Sequence, residues 1–91
     1  MESRFKPGQI LCHFKRETLS PLEKSLNKYM YQVIGIGMHT ETKESVLIYQ
    51  GLYYPFDIYV RPLEMAESKV DKVKYPNIKQ EYRLEVYKEE E

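Results

Sequence analysis

The sequence predicts a mainly β domain: a small, partly open barrel of about five short strands with one short inserted helix. Three observations predict it. The aromatic residues are nine Tyr and three Phe with no Trp, a composition that suits pleated, half-buried surfaces better than exposed helix. Short runs of alternating or β-branched apolar residues are separated by turn punctuation such as Lys6-Pro7-Gly8 and Tyr54-Pro55-Phe56-Asp57. Only one segment, opening at Ser20-Pro21, carries a helix-start signature. Rolling such a sheet protects edges that a flat one would expose.

Residues 9–15 alternate, with Ile10, Cys12 and Phe14 on one side and Leu11 and His13 on the other, and form the first strand. At Ser20-Pro21-Leu22-Glu23, Ser20 can cap an orphan amide, Pro21 fits the first helical position and Glu23 can complete a capping box. Leu19, Leu22, Leu26, Tyr29 and Met30 recur at helical spacing. A helix limited to residues 21–28 is marginal alone, so its leucine side is expected to dock on the sheet. Residues 31–38 are apolar and β-branched, interrupted by Gly35 and Gly37, which predicts a bent or bulged second strand. The polar stretch 39–44 reads as a hairpin tip, and residues 45–53 as the third strand. After the turn at 54–57, residues 58–61 form a fourth strand, ended by Pro62, whose missing amide hydrogen suits an edge or exit. Residues 63–74 are charged and weakly periodic, Tyr75-Pro76-Asn77 is a turn, and residues 82–87 alternate as a last strand. Residues 88–91 are expected to fray.

The length of 91 residues predicts one domain spanning 1–91 and one modest core. Fourteen Lys and Arg balance fourteen Asp and Glu, so no whole-molecule field draws the chain to nucleic acid or an anionic membrane. The single cysteine, Cys12, excludes an intrachain disulfide and a paired-Cys zinc site and fits a reducing, cytoplasmic setting. The opening MESRFKPGQI lacks a charged-then-apolar leader, and no apolar run approaches the ~20 residues that span a bilayer. No membrane association is expected.

The third and fourth strands carry the candidate binding surface. Tyr49, Gly51 and Tyr53 share one side of the pleat, and Tyr59 and Arg61 share one side of the next strand. A register pairing Gly51 with Tyr59 would let the ring cover the glycine and set Tyr49 opposite Arg61 for stacking or cation–π contact. The plain alternative is that these tyrosines fill or border the core and Arg61 pairs with a carboxylate such as Glu64. His13 and His39 are candidate proton or metal groups, with Glu41 two residues from His39. Two histidines and a carboxylate fall short of a closed metal site, so neither metal nor cofactor is expected. Cys12, Ser45 and the hairpin threonines lack a glycine-flanked elbow, and Gly35-x-Gly37 lacks the helix and third glycine of a phosphate loop.

The segments His13-Phe14-Lys15, Tyr31-Gln32-Val33-Ile34-Gly35, His39-Thr40-Glu41-Thr42, Val46 through Tyr49-Gln50-Gly51-Leu52-Tyr53, and Val60-Arg61-Pro62-Leu63-Glu64-Met65 together carry a resemblance. The chain resembles the bacterial family of domains of unknown function numbered 1653, in the longer variety that has residues 16–28 inserted after the first strand. The resemblance implies a roll related to SH3-type barrels and brings no activity, cofactor or catalytic residue. Tyr59 stands where Trp is expected, Gly51 where Ala is usual and Ala66 where Phe commonly follows Met65.

Two functional readings lead, ahead of a third in which the domain acts only as part of a fused or oligomeric assembly. One is a non-enzymatic binding or adaptor module using Tyr49, Tyr53, Tyr59 and Arg61, with His13, His39 and Glu41 as further contacts. Its ligand is a protein or peptide before a small molecule, with nucleic acid third because phosphate binding normally needs a basic surplus. The other is a small hydrolase or transferase using His39 and Glu41, with His13, as acid and base.

Overall fold

Every strand expected from the alternation forms, and all of them join one antiparallel sheet in the order β4-β3-β2-β1-β5. The computed structural model describes residues 4–87; the expected fraying at 88–91 lies outside them. The strands are β1 (Ile10–His13), β2 (Met30–Met38), β3 (Ser45–Gly51), β4 (Ile58–Pro62) and β5 (Leu84–Val86). The sheet is curled and not closed, a partly open barrel. Among the described residues no helix is long and apolar enough to cross a membrane.

The second strand is bulged. Its pairing with β3 shifts between Val33 and Gly35, leaving Ile34 as the extra residue. Gly37 permits a close approach across the same pair: a Cβ there would stand 3.0 Å from Ile48 Cδ1. The tip at 39–44 closes through His39 N–H to Glu44 O and Lys43 N–H to His39 O, with Lys43 left-handed at φ 64°.

The core lies on the face where Leu11, Tyr31, Val33, Leu47, Tyr49 and Leu84 converge. Leu63 and Ala66 complete it from a helix that the sequence does not announce, α2 (Leu63–Ala66). This single turn follows Pro62 directly, and its two buried residues at i and i+3 are too few to register as a period. A satellite cluster of Phe14, Val70 and Ile78, with Tyr75 against it, covers the β1 end.

The inserted segment departs from expectation. A 3₁₀ turn (Phe14–Thr18) ends the first strand early, and α1 is limited to Pro21–Ser25. Its capping box forms as the sequence predicts, with Ser20 accepting from Glu23 N–H and Glu23 reaching back to the Ser20 amide. Its leucines do not dock on the sheet: Leu22 and Leu26 are 71% and 63% exposed. The chain turns out of the helix through left-handed Asn27 and Tyr29, a route that leaves the leucine side facing outward.

The segment after α2 has little regular structure and is held by polar clamps. The Glu17 carboxylate accepts from the amides of Lys79 and Gln80 at 2.9 and 2.8 Å. The Gln80 amide donates to the carbonyls of Cys12, Tyr82 and Arg83. Such bonds supply the backbone partners that a loop packed on a sheet otherwise lacks.

Candidate functional site

The hairpin joining β3 to β4 positions the site. Gly51 N–H donates to Asp57 O, Phe56 N–H to Tyr53 O, and the Gln50 side-chain amide to Phe56 O. Left-handed Phe56 (φ 63°) lets the chain close a loop over residues 52–56. This closure sets the register, and it is not the one that the sequence suggests. Tyr59 pairs with Tyr49 and Arg61 with Leu47, so the strand is displaced by two residues from the expected Gly51–Tyr59 match. A displacement of two preserves the faces, and the aromatic surface therefore assembles. Tyr59 still reaches Gly51 diagonally: a Cβ there would lie 3.6 Å from its Cε2 and 3.4 Å from Tyr53 Cε1.

Four tyrosines meet on this face. Tyr31 stands edge-on to Tyr49, Tyr53 and Tyr59, with centroids at 5.1, 5.7 and 5.9 Å, and Tyr49 lies tilted against Tyr59 at 5.6 Å. The hydroxyls of Tyr31 and Tyr53 are 3.0 Å apart, within hydrogen-bonding distance. Burial pushes the Tyr31 phenol well above its usual range. Burial raises Tyr49 as well, opposed by the charge of Arg61. For Tyr59 the neighbouring Tyr53 is the leading cause of an upward shift. These three phenols are neutral donors and acceptors at physiological pH.

The burial pattern divides the predicted residues by role. Tyr49 is buried and forms the floor, whereas Tyr53, Tyr59 and Arg61 are partly exposed. Arg61 acts electrostatically on the Tyr49 phenol, and among the described residues no ion pair joins Arg61 to Glu64. Tyr31 is the residue of the aromatic face that sequence reasoning misses. Its place follows from its pairing with Gly51 across β2 and β3, a register that no local pattern in the sequence announces.

His13 joins the margin of this face. The sheet curls enough that Arg61 on β4 acts electrostatically on His13 of β1, although β2 and β3 lie between their strands. His13 stacks on Phe14 at 4.6 Å and lies 5.5 Å from the Tyr29 ring. Its Nδ1 accepts from Lys15 N–H at 3.1 Å, which leaves Nε2 as the protonated nitrogen of the neutral ring. Burial, then the charges of Arg61, Lys15 and Arg83, lower its pKa to about 4.

His39 and Glu41 fall elsewhere. Both are exposed at the β2–β3 tip, and His39 Nδ1 accepts from the amides of Glu41 and Thr42 at 3.2 and 3.3 Å. His13 N–H bonds Tyr29 O at the start of β2, whereas His39 follows its end, about 25–30 Å away along the strand. The structure does not bring these three residues together. Among the described residues no three His, Cys, Asp or Glu side chains cluster as a metal site. Burial raises the Cys12 thiol pKa, which keeps it an unreactive packing group at neutral pH.

Beside the tyrosines lies a cleft of about 640 Å³ between the inserted segment and the 52–57 loop. Leu26, Leu52, Tyr53, Tyr54 and Phe56 form its apolar wall, and Lys28 stands on its rim. Leu26, left undocked at the end of α1, thus lines an open surface, and Tyr53 is shared between cleft and tyrosine cluster. Tyr54 and Phe56 are edge-on to one another at 6.4 Å and 85% and 53% exposed.

A family model described as a protein of unknown function, DUF1653, matches residues 9–85. No curated protein and no solved structure matches the chain.

Proposed function

We propose that this chain, which belongs to the DUF1653 family, is a non-enzymatic binding module that takes a protein or peptide segment across its tyrosine face. The observation that carries the reading is that Tyr53 belongs both to the apolar cleft and to the tyrosine cluster that includes Tyr59. A ligand side chain in the cleft gains contact with Leu26, Tyr54 and Phe56. Its backbone or a carboxylate meets the phenols and the guanidinium, whose planar donors fix orientation. Rigid aromatic rings supply contact area at low entropic cost. The balanced charge favours a protein or peptide over nucleic acid, and a small molecule is the next class.

The reading includes a cytoplasmic location, supported by the lone Cys12. It also includes a bacterial source and membership of the longer variety, with residues 16–28 supplying one wall of the cleft. Catalysis through His39 and Glu41 gains no support, because both serve the hairpin tip.

The test begins with capture from a bacterial lysate at low and high salt, identifying proteins, nucleic acids and small molecules. Affinity for the captured ligand is then measured for Tyr59→Ala, Arg61→Ala and a His39→Ala control. The expected result is a loss of about tenfold or more in the first two and none in the control. Unchanged affinity in both site variants refutes the assigned surface.

A further inference from the structure

The edge of the sheet beside this site carries a second surface. β4 is the terminal strand. Because Gly51 N–H bonds Asp57 O, the hydrogen-bonded pairs with β3 are those of residues 57, 59 and 61. The N–H and C=O groups of Ile58 and Val60 therefore point outward from the sheet. Their side chains are 61% and 63% exposed. Edge strands of this kind are templates for pairing unless blunted, and here the blunting comes only at the ends, from the turn at Phe56 and from Pro62.

The run Asp57-Ile58-Tyr59-Val60-Arg61 is chemically self-complementary when read against itself antiparallel. Acid faces base, aliphatic faces aliphatic, and Tyr59 faces its own copy. Asp57 and Arg61 lie on the same face of the strand, and neither has an ion-pair partner among the described residues, where the pairs are Lys28–Glu23 and Lys69–Glu81. The zero net charge removes general repulsion between copies.

We propose that β4 pairs antiparallel with β4 of a second copy of this chain about a two-fold axis at Tyr59, setting Asp57 of each copy against Arg61 of the other. In this register Ile58 of one copy exchanges both backbone hydrogen bonds with Val60 of the other, and the two-fold repeats the exchange. Ile58 and Val60 also cover one another on the face away from the tyrosines. The dimer joins two sheets into one and brings two Tyr59–Arg61 surfaces side by side. Five residues of edge bury less than the ~1,600 Å² of a standard interface, so association depends on concentration.

Sedimentation equilibrium from about 10 µM to about 1 mM, the range suited to small interfaces, tests the proposal without any ligand. The wild-type chain is expected to pass from monomer to dimer, with weaker association at high salt. Asp57→Lys, which places like charges opposite, and Val60→Pro, which removes an outward amide that β3 does not use, each weaken the dimer at least about tenfold. Circular dichroism confirms that both variants stay folded. An equimolar mixture of Asp57→Lys and Arg61→Glu forms a mixed dimer although neither associates alone, because one charge pair is then the native Asp57–Arg61 and the other is attractive with its signs reversed. A wild-type chain monomeric throughout, an Asp57→Lys variant that dimerises like wild type, or species larger than a dimer would each overturn it. The last would point to β4 pairing with β5 of the next copy in an open, head-to-tail array.

Discussion

Replacing His13 by Asn should remove much of the acid sensitivity of folding. The imidazole is partly buried against Phe14 and Tyr29, and the charges of Arg61, Lys15 and Arg83 all oppose its protonation. Its pKa falls from 6.5 to about 4 in the fold. In the unfolded chain the same ring takes up a proton near pH 6.5. The native state is therefore the form that binds fewer protons between those limits, and stability present above about pH 6.5 is lost as pH falls toward 4. At about 1.4 kcal/mol per pH unit the full displacement amounts to roughly 3 kcal/mol. Solvent screening of the three cationic side chains reduces this to about 2–3 kcal/mol. Asn retains an acceptor for Lys15 N–H, so the local turn survives the change. Urea unfolding followed by tyrosine fluorescence at intervals from pH 7 to pH 4 measures both proteins. The wild type should lose about 2–3 kcal/mol more than His13→Asn over that window. Equal pH dependence in the two, or an imidazole that titrates near 6.5 by NMR, would refute the reasoning.

Other substitutions test the packing. Gly51→Ala should be tolerated and stabilise by up to about 1 kcal/mol in chemical denaturation, since its Cβ meets ordinary contacts at 3.4 Å and beyond while the unfolded chain loses freedom. Leu47→Ala, at a fully buried position, should cost about 2–5 kcal/mol, whereas Leu22→Ala on the exposed side of α1 should stay within about 0.5 kcal/mol by the same measurement. Glu17→Ala leaves the amides of Lys79 and Gln80 without their carboxylate and should cost about 1–3 kcal/mol. Hydrogen exchange in residues 78–83 should rise in that variant before exchange in β2 and β3 does.

Where periodicity and punctuation agree, local sequence locates the elements. The five strands, the hairpin tip at 39–44, the bulge beside Gly35 and the Ser20–Glu23 capping box all depend on groups within a few residues of one another. Strand boundaries are less well determined by such signals. β1 gives way to a 3₁₀ turn at Phe14 because that ring is drawn into the cluster with Val70 and Ile78, residues far along the chain. The same limit hides α2, whose helical turn is stabilised by burying Leu63 and Ala66 rather than by its own propensity.

The aromatic face shows the division most directly. Alternation alone puts Tyr49 and Tyr53 on one side of β3 and Tyr59 and Arg61 on one side of β4, and the period of two makes that assignment robust to an even slip. The register itself belongs to the loop: Phe56 and the Gln50 amide close it over residues 52–56 and pair Tyr59 with Tyr49. Tyr31 opposite Gly51, His13 drawn into the field of Arg61, and a cleft walled by undocked Leu26 are likewise tertiary outcomes. From sequence alone came a β-rich domain, its strand faces and the residue types of an aromatic surface, because backbone geometry repeats locally. The tertiary structure decided which faces met, which tyrosine became floor and which stayed accessible, because those depend on sheet curl and loop closure between residues that no local pattern connects.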